Sequence, residues 1–229
     1  MSPRAVGRQS LTVDQIVTTA LELIDETGLA GHSMRTLGAR LGVDASTLYY
    51  HVPNKAALHS LIVDRIMSGV DLSNDDPSLA VEQRLMAAVW EFRRALLVHP
   101  RAVPLVVARS MRTIPQLSGI EVVAGILYQA GFSSIEVLLA VDAIGQVVIG
   151  LTNIHTVQLE AAAEGEVLDP LPELPEEGFA NLRRLFAEGA YYDSDGEFEA
   201  TLTALITGLI SAHAAGTFTP ATSQAVPLT

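Results

Sequence analysis

The chain has 229 residues, of which only 17% are charged, and a formal net charge of −12. It has no cysteine, which excludes disulfides, thiolate metal sites and cysteine nucleophiles. Its mean hydropathy of +0.33 indicates apolar surface beyond a simple core, such as a subunit interface or a ligand cavity. The length suits one or two domains. No signal peptide is visible, so we expect a cytoplasmic protein that does not bind a membrane.

The first 28 residues predict a flexible arm followed by an amphipathic helix. Residues 1–10 form the arm, and Thr12 begins the helix, which ends near Gly28. One stripe of this helix is apolar with a period of 3.6 residues, which predicts a buried face made of Val13, Ile16, Val17, Ala20, Leu21 and Ile24.

Residues 33–55 predict two short helices joined by a tight turn. Ser33 can cap the first helix, in which Met34, Leu37 and Leu41 share one buried face. Gly42 stands where that helix must end, because glycine tolerates the left-handed conformation that follows a helix.

The second short helix combines a buried side with an uncharged outer side. Asp44 is expected to cap it, and Leu48 and Val52 point inward. The outward positions are small, hydroxylic or aromatic, and they are Ala45, Ser46, Thr47, Tyr49 and Tyr50. A helix-turn-helix needs such a surface to enter a DNA major groove. The alternative is an ordinary helical hairpin, which usually has charged outer faces.

The rest of the chain also predicts helices. Asn54 starts a fourth helix that runs to about Val70, and residues 71–77 form a polar junction. Further helices are expected at 78–98, 116–130, 134–160, 178–190 and 196–215, with Ser133 or Ser134 capping the long one and Asp195 the last. The long helix is apolar on nearly every side and must be buried all round. Residues 160–177 predict an acidic loop.

This pattern gives an all-α fold class: a helix-turn-helix domain at 11–70, a larger helical domain at 71–216, and a loose tail at 217–229. Residues 1–65 carry six basic and six acidic side chains, so the excess acid lies entirely in the later part of the chain. A neutral N-terminal domain is compatible with DNA binding but does not demonstrate it.

The run from Leu37 to Lys55, with its Thr-Leu-Tyr, His-Val and Asn-Lys groups, resembles the DNA-binding head of the tetracycline-repressor (TetR) family. The resemblance covers residues 12–66 strongly. It continues more weakly at 92–97, 131–133 and 145–150, which look like the C-terminal domain of the tetracycline repressors themselves.

The resemblance implies a homodimer that binds a near-palindromic double-stranded DNA operator. The long helix and the last helix of each subunit would form a four-helix interface. Two recognition helices would then lie about 34–36 Å apart, one turn of DNA. Matched to the family motif, the DNA-binding residues are Arg35, Ser46, Thr47, Tyr49, Tyr50, His51 and Lys55. Packing within the head is the alternative for Tyr49, and a capping or core role is the alternative for His51.

The resemblance also implies a small-molecule effector, and here the chain departs from the tetracycline repressors. Their metal-binding His and Glu fall near Val106 and Ile154, and their drug-anchoring His and Asn near Asp71 and Ala88. Without those ligands a magnesium–tetracycline effector is not expected. Candidate contacts with a more apolar effector are Trp90, Phe92, Val106, Arg109, Met111, Gln146, Asn153 and Ile154, each of which could instead be plain core or surface.

The sequence contains no phosphate-binding loop, serine-hydrolase elbow or zinc-protease motif. We therefore expect no enzyme, no cofactor and no metal site. The prediction is a ligand-responsive repressor, whose fourth helix transmits effector binding to the head. Two alternatives remain: a helical ligand-binding protein with a relic DNA-binding head, and a small helical enzyme.

Overall fold

The computed structural model describes residues 11–108, 113–163, 175, 177–188 and 193–218. Within these ranges the chain is helical and has no strand, which confirms the all-α prediction. The predicted arm lies outside the described residues, as do most of the predicted acidic loop and all of the tail after residue 218. The chain divides into two compact units, residues 1–74 with 90–122 and residues 75–89 with 123–229.

The first unit begins with four helices, α1 (Val13–Gly31), α2 (Met34–Leu41), α3 (Ala45–His51) and α4 (Lys55–Met67). The end of α5 (Val81–Val98), a 3-10 turn (Pro100–Ala102), α6 (Val103–Val107) and the start of α7 (Ile114–Gln129) complete it. The core of the four-helix head consists of fully buried aliphatic side chains from α1 to α4, among them Ile16, Ile24, Leu37, Leu48, Leu58 and Ile62. Burial of this apolar surface is the main force that holds the head together.

The helix ends of the head agree with the sequence prediction in most respects. The Thr12 Oγ1 caps α1 by accepting a hydrogen bond from the Gln15 amide at 3.2 Å. This helix extends three residues past the predicted end, through a kink where Gly28 has φ +68°. Asp44 occupies the N-cap of α3, but its side chain makes no capping hydrogen bond, so that part of the prediction is wrong.

The second unit contains the start of α5, the end of α7, and α8 (Ser134–Ala163), α9 (Ala180–Ala187) and α10 (Ser194–Ala214). Helices α8 and α10 pack together. The buried Arg84 of α5 ties this unit internally, since it donates to both carboxylate oxygens of Asp75, at 2.8 and 2.6 Å, and to the Gln129 side chain at 2.9 Å.

The last helix starts two residues earlier than predicted. Asp193 caps it, because the Asp193 carboxylate accepts a hydrogen bond from the Gly196 amide at 2.6 Å. The prediction that Asp195 is the cap is therefore wrong, and Asp195 lies in the first turn. Asp193 lies three residues before Gly196 and Asp195 lies directly before it, and both are residues that favour the N-cap.

Candidate DNA-binding surface

Helices α2 and α3 form a helix-turn-helix whose turn is fixed by two glycines. Gly42 adopts φ +68° at the end of α2, as predicted. Gly38 lies inside α2, where an added Cβ would stand only 2.8 Å from the Val43 carbonyl oxygen and 3.2 Å from the Ala45 amide nitrogen. A larger residue at position 38 would therefore push the start of α3 away from α2.

The first helix of this motif is held at its N-terminus by a reciprocal cap. The Ser33 Oγ accepts a hydrogen bond from the Thr36 amide at 3.1 Å, and the Thr36 Oγ1 accepts one from the Ser33 amide at 2.9 Å. Each satisfies a backbone donor that the helix itself leaves unpaired. The cap fixes where α2 begins, and with it the position of Arg35 on its first turn.

The third helix is anchored on one side and open on the other. Leu48 and Val52 are 0% and 1% exposed, as the sequence predicted. On the opposite side Tyr50 is 89% exposed and Tyr49 is 49% exposed. Ser46 and His51 are exposed and Thr47 is half-buried, so the structure brings all five predicted α3 residues onto one short helix.

The cations of the head are mostly engaged by the head itself. The Arg40 guanidinium binds the Glu26 carboxylate, with an Nη1 to Oε1 distance of 2.9 Å, and lowers the pKa of that carboxyl below its usual value. Arg65 binds the Asp14 carboxylate and donates to the Thr18 hydroxyl at 3.2 Å. Both pairs are largely exposed, so their contribution to stability is small.

Lys55 is also engaged, since its Nζ donates to the main-chain carbonyl of His32 at 2.8 Å and thereby ties the start of α4 to the end of α1. Arg35 differs from the other three cations. It is exposed and makes no hydrogen bond or ion pair with the part of the chain that the structure describes. Its guanidinium is therefore available to a ligand that approaches α3.

Comparisons with known proteins agree with this geometry. Residues 16–60 match the family model described as "Bacterial regulatory proteins, tetR family", and residues 76–212 match the "Tetracyclin repressor-like, C-terminal domain". The class E tetracycline repressor of Escherichia coli is 32% identical over 185 residues, which cover 80% of this chain and 86% of that protein.

The chain belongs to the TetR family. A solved structure of the Streptomyces coelicolor TetR-family protein ActR in complex with actinorhodin has a TM-score of 0.76 and 26% identity, and the match covers 89% of this chain and 97% of that one. The tetracycline repressors and ActR are similar to this protein over both matched regions. It is a transcriptional regulator of the TetR type, with an N-terminal helix-turn-helix and a helical C-terminal domain.

In this TetR-family chain the end of α1 is attached to the 3-10 turn of the same unit. His99 Nδ1 hydrogen-bonds the Asp25 carboxylate at 2.8 Å. The Arg101 guanidinium donates to the main-chain carbonyls of Asp25 at 3.2 Å and Glu26 at 2.8 Å. These carbonyls lie just before the kink at Gly28, where the regular hydrogen bonding of α1 is interrupted. The sequence analysis did not single out His99 or Arg101 for this role.

A second attachment within the same unit involves α4. The Asp64 carboxylate accepts hydrogen bonds at 2.5 Å from the Thr113 hydroxyl and from the Gln116 side chain at the start of α7. Together with the α1 attachment, it connects two helices of the DNA-binding head to the segments that follow α5.

The predicted effector contacts occupy varied environments. In the first unit Val106 is buried, while Trp90 and Phe92 are half-buried. In the second unit Ile154 is 52% exposed, Asn153 is half-buried, and Gln146 is exposed and donates to the Asp142 carboxylate at 2.6 Å. The remaining two candidates lie outside the described residues, and they are Arg109 and Met111. The assignment of these residues to an effector site stays a prediction.

One protomer leaves much of the long helix uncovered. The segment Ser134–Ala161 is apolar and long enough to cross a membrane by length and composition, a test that core helices of soluble proteins also pass, and 33% of its most apolar part is buried. Four aliphatic side chains of α8 are at least half exposed, and they are Leu138, Ile154, Val157 and Leu159. Within one protomer, therefore, α8 is not buried all round.

Two features that involve buried polar side chains were missing from the sequence analysis. Arg93 is 1% exposed, and its guanidinium lies 5.2 Å from the centre of the Trp90 ring. The His32 ring is 2% exposed and lies 5.5 Å from the ring of His59, although the sequence reading had treated the histidines as scattered. Since 26 residues separate these two, no local pattern could have revealed the pair.

Proposed function

We propose that this chain is a homodimeric, ligand-responsive repressor that binds a near-palindromic operator through α3 and is released by a small, largely apolar effector. The observation that carries the proposal is the two-sided character of α3. Leu48 fixes the helix to the core while Tyr49, Tyr50 and Ser46 face solvent on an edge without acidic side chains. Two such helices one DNA turn apart would enter successive major grooves.

Each candidate side chain suits a particular part of the DNA. Arg35 can donate two hydrogen bonds to a guanine O6 and N7. Thr47 and Tyr49 can donate to phosphates, and Tyr50 can pack against a sugar or a thymine methyl group. Ser46 and His51 complete the recognition helix. For Lys55 to contact a phosphate, its Nζ would have to leave or share the His32 carbonyl that it now binds.

The apolar surface of α8 supports dimerisation. Its half-exposed aliphatic side chains lie on the helix that packs against α10. A four-helix interface made of α8 and α10 from two copies would cover them, and it would account for the high mean hydropathy of the chain. We assign the head to residues 11–70, and ligand binding and dimerisation to residues 71–216.

The residues that replace the tetracycline-repressor ligands support an apolar effector. Val106 and Ile154 offer neither an imidazole nor a carboxylate, so they bind no magnesium. Such an effector acts by preferring the conformer that does not fit the operator, and it shifts the equilibrium only by its differential affinity for the two conformers. The attachments of α1 and α4 within the first unit give the route by which the head would respond. We infer a cytoplasmic regulator without enzymatic activity.

The decisive experiment selects bound fragments from sheared genomic DNA with the purified full-length chain, and then measures affinity by fluorescence anisotropy over a range of salt concentrations. A specific operator with inverted half-sites supports the proposal. Binding that stays weak and independent of sequence, even at low salt, would support the relic head instead. That alternative draws on the neutral head and on its three engaged cations, Arg40, Lys55 and Arg65.

A further inference from the structure

The head contains two neighbouring histidine rings, one buried in its core at His32 and one half-buried at His59. His32 ends α1 and directly precedes the cap of α2, and His59 lies on α4. Their ring centres are 5.5 Å apart, with the planes inclined by 36°. The pair therefore joins the α1–α2 junction to the helix that leads out of the head.

The His32 ring is an unusual core group because neither of its nitrogens has a hydrogen-bond partner among the residues that the structure describes. It is also 2% exposed. A buried polar atom without a partner lowers stability and calls for an explanation. Leucine or another aliphatic residue would fill this place at less cost, so the imidazole itself is the property to explain.

The surroundings of His32 strongly disfavour a positive charge. The two titratable groups that act on it electrostatically, His59 and Lys55, are both on α4 and are both basic. From α1, the Glu26 carboxylate is already paired with Arg40 of α2. The Asp25 carboxylate, also on α1, is already hydrogen-bonded to His99.

Burial, with His59 and Lys55 adding to it, lowers the pKa of His32 from 6.5 to about 4. The same surroundings argue against a metal ion. A divalent cation would need imidazole ligands near an ammonium group, and the described residues offer no cluster of three or more metal-ligating side chains. These surroundings suit a neutral His32 ring.

We propose that the His32–His59 pair makes the DNA-binding head sensitive to protons, so that mild acid opens the packing between the α1–α2 junction and α4. That this unit binds DNA rests on the proposed function, but its acid-induced opening does not depend on that function. In the closed head His32 stays neutral, whereas in the opened chain it takes up a proton near its ordinary pKa. Acid therefore favours the opened form.

The size of the effect follows from proton linkage. A histidine with a pKa of about 4 when closed and 6.5 when open raises the ratio of open to closed head about 25-fold between pH 7.5 and pH 5. The stabilising effect of the neutral ring is complete above pH 6.5 and is lost as the pH falls from 6.5 towards 4. Opening would remove the support of α2 and α3, and operator binding needs both.

The test is hydrogen exchange of the full-length chain at pH 7.5 and pH 5, after correction for the intrinsic exchange rates. We expect the protection of amides in α2 and α4 to fall about 25-fold in the wild type, and less than about 3-fold in His32→Leu. The matched control is His155→Gln, which removes a half-buried histidine from α8 in the second unit and should keep the wild-type response. An equal acid response in wild type and His32→Leu overturns the proposal.

Two further measurements keep the result decisive. Titration of the His32 ring by NMR in the wild type should show an acid-shifted midpoint, and a midpoint near 6.5 in the closed head overturns the proposal without any variant. Stabilisation of the wild type by Zn²⁺ at pH 7.5 that both His32→Leu and His59→Leu lose would make the pair a metal site instead. Operator affinity at pH 7.5 is measured separately, so its absence refutes the DNA-binding function and leaves the exchange result standing.

Discussion

The replacement Tyr50→Ala separates the DNA-binding role of α3 from its structural role. Tyr50 is 89% exposed, so its ring makes few contacts within the chain. Surface substitutions of this kind change stability by about 0.5 kcal/mol or less. We expect the variant to fold and dimerise like the wild type.

The effect on operator binding should be much larger. Truncating an aromatic anchor at the centre of an interface costs about 2 kcal/mol or more. The proposed dimer uses two copies of Tyr50, so the loss is about 4 kcal/mol. At about 1.4 kcal/mol for each factor of ten, the operator affinity should fall roughly a thousandfold. Binding to unrelated DNA should change little, because it depends on phosphate charge.

Fluorescence anisotropy with the selected operator measures this loss, and sedimentation with thermal unfolding confirms that the variant is intact. The contrasting variant is Leu48→Ala, on the same helix but 0% exposed. It should lower the stability of the head by about 2–5 kcal/mol, because it removes buried methyl groups and leaves a cavity. If Tyr50→Ala binds the operator with wild-type affinity, the assignment of α3 as the recognition helix is refuted.

Three other variants test the remaining parts of the structure. Arg101→Ala should lower the hydrogen-exchange protection of amides at the end of α1, because the carbonyls of Asp25 and Glu26 lose their donor. Unchanged protection would show that Arg101 does not hold the end of α1. Leu138→Glu should shift the sedimentation coefficient towards a monomer, whereas Ile114→Glu, at a side chain that is also exposed but lies in the first unit, should remain a dimer. Hydrogen bonds from Ser133 and His213 lower the pKa of Glu136 to about 2, so its stabilisation is complete above pH 4.5 and is lost as the pH falls from 4.5 to 2. Glu136→Gln should remove that pH dependence from urea unfolding of the second unit.

Local patterns predicted most of the head because most of its signals are local. Thr12 and Ser33 cap helices with their own neighbours three residues on. Gly42 adopts the positive φ that its place after α2 requires, and the spacing of Leu48 and Val52 fixes which side of α3 is buried. The prediction of Asp195 as the cap of the last helix failed because Asp193 can cap as well, and only the actual path of the chain decides.

Contacts between distant parts of the chain were not accessible to the same reasoning. Lys55 has the position of a phosphate ligand in the family motif, but the fold also brings its ammonium to the carbonyl of His32. The exposure of Leu138 could not be read from α8, because a helix that is apolar on every side does not show which side its own chain covers. Arg101 acts on α1 from a segment about 75 residues away.

The engagement of the cations leads to a prediction about salt dependence. Of the basic side chains in the described head, Arg35 and Lys55 are the two that the match to the family motif assigns to DNA, which gives about four cations in a dimer. Counterion release then predicts a slope of log affinity against log salt between about −3 and −4. The first ten residues add Arg4 and Arg8. If these also contact phosphates, the slope of the full-length chain approaches about −7, and deletion of residues 2–10 should halve it. A full-length slope steeper than about −8 would mean that Arg40 and Arg65 leave their carboxylate partners when the operator binds, and the ion pairs of the free head would then be part of the DNA-binding equilibrium.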